Sequence, residues 1–255
     1  MSAHARRILP NKWISDSRSG LRSGLSFFGP VGYNQSIITK RLVRRMKNCI
    51  IFCAAGFDGL IAPIPAEALV IAADGGLRHT RSLGIRPDVI LGDFDSLGYI
   101  PDDSQVYPVE KDDTDAMLAV RVGLERGCGS FLFYGAMDGP RLDHTVANFQ
   151  TMGYLATHGA RGTLIGRDYI ATVLKEETIE FSEDATGILS LFCLGASAEV
   201  SIEGLKYGLD HGTLTPDFPL GVSNHFLGTS ARITVHDGLV LAMWDRKNGL
   251  GVRSC

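Results

Sequence analysis

From Cys49 to about Gly166 the chain alternates continuous apolar runs with stretches of helical periodicity. Residues 50–55 form one apolar run and end at Gly56; Leu69–Ala73 form another and end at Asp74-Gly75-Gly76. Val89-Ile90-Leu91 ends at Gly92, and Phe131-Leu132-Phe133-Tyr134 ends at Gly135. Runs apolar at every position, not at every second one, predict strands buried on both faces. Residues 105–109 predict a weaker strand, and Pro108 places it at an edge or a strand end. Between the runs, residues 77–83, 115–126 and 143–156 predict helices, with Gly84, Gly127 and Gly159 at or near their stops. Strands and helices in this alternation predict a mainly parallel α/β sheet.

After about Asp168 the pattern changes. Short alternating stretches appear at 178–181, 188–194, 198–202, 231–235 and 239–244, punctuated by Gly, Asp and Pro. Helical periodicity is absent there. The fold class expected is therefore α/β plus all-β: a mainly parallel sheet domain over 49–166, followed by a β-sandwich domain over 167–255.

Residues 1–48 show no sustained periodicity. They hold ten Lys or Arg and one acid, Asp16, about +9, whereas the remainder carries about -12. Such a segment reads as a transit peptide, as a disordered basic arm, or as sequence ahead of a true start at Met46. The last reading is favoured, because Met46-Lys47-Asn48 leads straight into the first strand. The acidic body disfavours a nucleic-acid surface, which needs Lys and Arg against phosphates. No apolar run approaches a membrane span, so a soluble protein is expected. Cys49, Cys53, Cys128, Cys193 and Cys255 lack zinc-ligand spacing and predict reduced thiols of a cytoplasmic protein.

Charge patterning within the body points to chemistry. Gly92-Asp93-Phe94-Asp95-Ser96 and Asp112-Asp113-Thr114-Asp115 each follow a predicted strand, as does Asp74. Carboxylates gathered at neighbouring strand ends repel one another unless a hard cation such as Mg²⁺ joins them, and that ion commonly holds substrate phosphates. Asp93 and Asp95, at i and i+2 of an extended segment, are expected to face one cation together while Phe94 enters the core. The alternative is a polar turn in which Asp95 or Ser96 caps a helix. Asp112, Thr114 and Asp115 open a helix, and capping accounts for one of them only. Gly75 and Gly76 suit a phosphate approaching a helix start, or a plain turn. Arg141 suits a transferring phosphoryl group, and Asp143 suits a cap as well as a ligand contact. His144 reads as a structural hydrogen-bonder or a catalyst. Ser223 and Asn224 stand in a loop of the β half.

Taken in order, these residues resemble the thiamin pyrophosphokinase family. The resemblance spans about residues 49–245. It runs through Ala73-Asp74-Gly75-Gly76, Pro87-Asp88, Gly92-Asp93-Phe94-Asp95-Ser96 and Lys111-Asp112-Asp113-Thr114-Asp115. It continues in Arg141-Leu142-Asp143-His144-Thr145 and Ala147-Asn148, and closes with Gly221-Val222-Ser223-Asn224. One block departs from the pattern: Ala136, Asp138 and Pro140 stand where the family is richer in glycine. The resemblance implies transfer of a diphosphate from ATP to thiamin, giving thiamin diphosphate and AMP. It implies Asp74, Asp93 and Asp95 as ligands of Mg²⁺, with Asp112 and Asp115 as further candidates. Asp93, Asp95, Asp115 and Arg141 take the catalytic roles. Asp74, Gly75, Gly76, Asp112, Thr114, Asp143 and His144 contact the nucleotide side. Ser223 and Asn224 reach the aminopyrimidine of thiamin, across a homodimer. A pyrophosphokinase for another heterocyclic alcohol, such as a hydroxymethylpterin, is the alternative enzyme, and a non-catalytic nucleotide sensor is the alternative class. A chain starting at Met46 is expected to fold and turn over normally. A large loss of AMP release on that truncation would place the leading residues inside the enzyme.

Overall fold

The computed structural model describes residues 46–95, 97–106 and 113–254. The first half runs β1 (Lys47–Phe52), β2 (Leu69–Ala73), α1 (Gly76–Ser82), β3 (Val89–Gly92), β4 (Gln105–Val106), α2 (Asp115–Glu125), β5 (Cys128–Tyr134), α3 (Leu142–Thr157) and β6 (Arg161–Ile165). The second half begins with β7 (Tyr169–Leu174), β8 (Thr178–Phe181), β9 (Ile188–Cys193), β10 (Ala198–Glu203) and β11 (Leu209–Leu214). It ends with β12 (Asn224–His225), β13 (Ala231–Asp237), β14 (Val240–Asp245) and β15 (Val252–Ser254). Of the expected fourth strand, residues 107–109 lie outside the described residues. No helix among the described residues is long and apolar enough to cross a membrane.

A ten-stranded sheet has the order β12-β9-β14-β7-β6-β5-β1-β2-β3-β4, and a five-stranded sheet the order β11-β10-β13-β8-β15. Strands β6, β5, β1, β2, β3 and β4 pair in parallel. From β6 to β7 the pairing turns antiparallel and stays so through β14, β9 and β12. The β half is thus a sandwich, but one of its layers continues the parallel sheet. The chain crosses from one half to the other in the turn between β6 and β7.

Successive residues of β1 enter opposite cores, as the strand period requires. Cys49 and Ile51 pack with Ala119 and Val120 of α2 and with Met152 and Leu155 of α3. Ile50 and Phe52 belong to the other core, with Ile170, Leu174, Trp244 and the second-sheet residues Ile179, Val200 and Ile233. The molecule is therefore layered: helices, long sheet, short sheet. The parallel strands also set the place for a ligand. Chain order leaves β1 toward β2 on one side and returns to it with β5 on the other. At such a switch point the strand ends part and leave a crevice.

A buried ion cluster locks the two sheets together. The Glu177 carboxylate, 7% exposed, accepts from Arg253 of β15 and pairs with Arg161 of β6 at 3.2 Å. Arg253 also donates to Thr172 Oγ1 at 2.9 Å and the Val173 carbonyl at 3.1 Å, both in β7. Glu177→Ala is expected to cost about 3–5 kcal/mol, since it strands buried guanidinium charge. Urea unfolding of the purified variant measures this, and a midpoint unchanged from the parent would refute the clamp.

Candidate active site

Two strand ends and one helix start build the acidic group. Asp74 follows β2 in the left-handed region, at φ +47°, and its backbone N–H donates to the Leu91 carbonyl at 2.8 Å. Gly92, at φ +144°, lets the end of β3 come that close, because a Cβ there would lie 3.1 Å from Asp74 backbone and Cβ atoms. Gly76 allows α1 to start against β1: its Cβ would stand 1.9 Å from the Phe52 carbonyl oxygen. Asp115 opens α2, where Thr114 Oγ1 caps the helix by accepting from the Met117 N–H at 3.2 Å.

These elements bring one carboxylate oxygen each from Asp74, Asp93 and Asp115 within 4.8 Å of one another. Asp74 is 7% exposed, and its Oδ1 is the one buried side-chain nitrogen or oxygen without a hydrogen-bond partner among the described residues. A buried acceptor left unpaired is costly. Converging hard oxygen donors with an orphaned buried atom fit a divalent cation of the Mg²⁺ type. The thiol of Cys53 beside them is pushed up to about 12, first by burial and then by the Asp115 and Asp74 charges.

The geometry around Asp93 and Asp95 differs from the extended segment expected. Phe94 does enter the core, 2% exposed, but at φ +60°. The chain turns there: the Asp93 carboxylate accepts from the Asp95 N–H at 3.2 Å, and the Phe94 carbonyl accepts from Leu97 and Gly98. Alternation is lost, so Asp93 joins Asp74 and Asp115 while Asp95 stays exposed and outside the group of three. Asp112 and Ser96 lie outside the described residues.

The acids open onto a cavity of about 640 Å³ at the switch point. Its walls include Cys53, Ala54 and Ala55 after β1, and Gly135, Ala136, Gly139, Pro140 and Arg141 after β5. Asp95, Asp113, Thr114 and His144 also line it. Gly75 and Gly76 are not among its lining residues; Gly76 serves the close packing of α1 on β1. At the α3 start, Arg141 and Asp143 form a two-pronged ion pair at 2.6 and 3.2 Å. The guanidinium holds the Asp143 carboxyl down at about 2, below its ordinary 3.8. The pair is therefore charged above that range and weakens only as the pH falls toward 2. Both partners are exposed, so Arg141 is free to exchange this carboxylate for an anionic ligand. Asp113, Thr145 and Asn148 line the cavity without having been singled out as ligands. Asp113 pairs with Arg121 at 2.9 Å, and Asn148 donates to the Ala136 carbonyl at 2.7 Å. All three stand inside the motifs that carry the resemblance, which gave them no role of their own.

A sequence model of the thiamin pyrophosphokinase catalytic domain matches residues 64–163, and one of the vitamin B1 binding domain of the same family matches residues 176–240. The chain belongs to the thiamin pyrophosphokinase family. A comparison with curated proteins returns no match. Thiamine pyrophosphokinase from Bacillus subtilis superposes with a TM-score of 0.66 at 21% identity, covering 77% of this chain and 98% of that one. Thiamin pyrophosphokinase from Candida albicans gives 0.58 at 17% identity, covering 78% and 88%. The yeast enzyme gives 0.59 at 14%, covering 79% and 87%. At these identities the likeness is one of fold.

Within the part matched by the vitamin B1 binding domain, Ser223 and Asn224 have different surroundings. Asn224 is 4% exposed, and its amide is largely taken up by its own chain. Oδ1 accepts from the Tyr207 and His225 N–H groups at 2.9 and 3.0 Å, and Nδ2 donates to the Tyr207 carbonyl at 2.7 Å. It fixes the Tyr207 loop against β12, and one amide N–H is left. Ser223 is exposed at φ +59°, and its N–H donates to Ser190 Oγ at 3.0 Å. The order of the sheet places β12 six intervals from β1, roughly 29 Å at the usual strand spacing.

The acidic group predicts how the family member responds to metal. Without Mg²⁺, Asp74→Asn should melt at the parent temperature or above it, since one of three repelling charges is gone. Mg²⁺ is expected to raise the melting temperature of the parent and not that of the variant. A scan with and without 10 mM-scale Mg²⁺, on the order of a weak site's saturation, checks both. An equal Mg²⁺ shift in parent and variant would remove Asp74 from the ion's ligands.

Proposed function

We propose that this thiamin pyrophosphokinase family member works as a Mg²⁺-dependent homodimer in the cytoplasm. In this reading it moves the diphosphate of ATP onto the hydroxyethyl oxygen of thiamin. The thiamin oxygen forms a bond to the β-phosphorus, the bond from that phosphorus to the oxygen of the α-phosphate breaks, and AMP leaves as the hydroxyl loses its proton. The observation that carries the reading is the convergence of Asp74, Asp93 and Asp115, with Asp74 Oδ1 unpaired, at the mouth of a cavity edged by Arg141.

Asp74, Asp93 and Asp115 would hold Mg²⁺, which when bound neutralises charge on the phosphate oxygens. Arg141 exchanges Asp143 for phosphate and binds charge that spreads over the transferring group. Asp113 is engaged by Arg121 and Asp143 does not line the cavity, so Asp95 is the lining carboxylate outside the metal group left to orient the thiamin hydroxyl. His144 and Thr114 face the same space. Residues 49–166 carry this chemistry, and residues 167–255 carry thiamin recognition. Ser223 supplies a neutral hydrogen-bonding group suited to an aminopyrimidine, and Asn224 positions it. The roughly 29 Å of sheet between β12 and β1 supports the reading that the loop serves the partner's cavity. The free thiols Cys49, Cys53, Cys128 and Cys193, all buried, support a reducing compartment.

AMP release with thiamin, with a hydroxymethylpterin and with no acceptor tests the reaction. Release should depend on thiamin; release that ignores the acceptor, or prefers the pterin, overturns the reading. Asp93→Asn should lower kcat by about a hundredfold or more at an unchanged melting temperature. Ser223→Ala should raise the KM for thiamin about tenfold. In heterodimers of these two variants one site is intact and the other carries both lesions. At thiamin well below the parent KM their activity should exceed that of either parent variant, and absence of recovery in verified heterodimers would put both residues in one chain's site.

A further inference from the structure

The departure of residues 136–140 from the family's glycine-rich pattern has a structural counterpart. Asp138 sits at φ +60°, a conformation that glycine adopts freely and that Asp tolerates better than most residues. Its carboxylate accepts from the Arg167 backbone N–H at 2.6 Å. Two glycines leave room for it. A Cβ on Gly166 would lie 2.9 Å from Asp138 Oδ2, and one on Gly56 would lie 3.4 Å from the Asp138 Cβ. A glycine at 138 would relieve the backbone and lose the tie to the turn between β6 and β7.

The same turn is gripped from the other half of the molecule. The Arg246 N–H donates to the Asp168 carbonyl at 2.8 Å, and its guanidinium donates to the Gly166 carbonyl at 3.1 Å. The guanidinium then reaches on to the Asp58 and Gly59 carbonyls at 3.0 and 2.7 Å. These two belong to the β1–β2 loop, whose first residues Cys53, Ala54 and Ala55 form one cavity wall. Asp138 lies inside the loop that forms the facing wall. The walls also touch each other: the Ala55 N–H donates to the Gly135 carbonyl at 2.8 Å, and a Cβ on Gly139 would lie 3.1 Å from Ala55 Cβ. Neither Asp138 nor Arg246 lines the cavity.

We propose that the turn at 166–168 anchors both walls of the ATP cavity, with Asp138 and Arg246 as the positioning residues that set ATP affinity through it. The proposal rests on the reading that the cavity takes ATP. Because the walls hold the nucleotide before and during transfer alike, their loss weakens binding without slowing the bound complex.

The test is an ATP titration at saturating thiamin, a thiamin titration at saturating ATP, and a melting curve on Asp138→Gly, Asp138→Asn, Arg246→Ala and the Gly/Ala double variant. Asp138→Gly should raise the KM for ATP about tenfold with kcat and the KM for thiamin within about twofold. Asp138→Asn keeps an acceptor and the same backbone tolerance, and should return the KM for ATP to near the parent value. The double variant should lose less than the product of the single effects, because both ties end on one anchor. An unchanged KM for ATP in Asp138→Gly, a fall in melting temperature alone, or no recovery in Asp138→Asn overturns the role of Asp138. Strictly multiplicative effects overturn the shared anchor. Calorimetric binding of Mg·ATP to the same proteins without thiamin separates this proposal from the assigned reaction. A parent that binds ATP but releases no AMP with thiamin sinks the reaction and leaves the anchor to the binding constants; a parent that binds no ATP sinks both.

Discussion

The site depends on how closely the ends of β1, β2 and β3 approach one another. At Gly76 there is no space for a Cβ beside the Phe52 carbonyl, and at Gly92 one would press on Asp74 at 3.1 Å. Between them Asp74 stands in the left-handed region, buried, with its carboxylate close to those of Asp93 and Asp115. Three carboxylates at such separation repel in a medium less polarisable than water. The hydrophobic packing of the strands beneath, with Ile51, Ile71 and Leu91 fully buried, supplies the stabilisation that holds them there. The protein thus gathers like charge at its strand ends, the arrangement on which the proposed Mg²⁺ site rests.

The second dependence is on the continuity of the long sheet. Parallel strands need crossovers, and here α2 and α3 cover one face while the short sheet belongs to the core on the other. The β half therefore does the work that a second helical layer does in an ordinary doubly wound fold. It also places β12 and its Ser223 loop at the far edge from β4, well away from the acids of its own chain.

The sequence was most readable where burial is complete. Leu69–Ala73 matches its strand end to end, because a run with both faces in apolar cores has no polar position to blur it. Strands β6 and β7 were not anticipated as separate elements. Arg161, Gly162 and Thr163 break the apolar run of β6, and Arg161 is there for Glu177, a partner that only the fold reveals. Strand β11, with Asp210, His211 and Gly212, is a sheet edge whose exposed residues carry no alternation to read. In the site, the acids and Arg141 were visible as an excess of charge at strand ends. The choice between Asp95 and Asp115 as the third member of the cluster was not, because it turns on the φ of Phe94, and i, i+2 reasoning holds only for an extended chain. The engagement of Asn224 by Tyr207 is a contact between distant parts of the chain that spacing does not encode.

The turn between β6 and β7 looks like a natural seam, since the matched catalytic domain ends just before it and the matched binding domain begins soon after. The sheet runs straight through it. Severing the halves there would expose β6 and β7, each with a row of unpaired backbone groups and apolar side chains such as Leu164, Ile170 and Val173, to solvent. Such edges invite pairing with any other chain. Shuffling of this binding half onto a different catalytic half is thus opposed by the backbone itself.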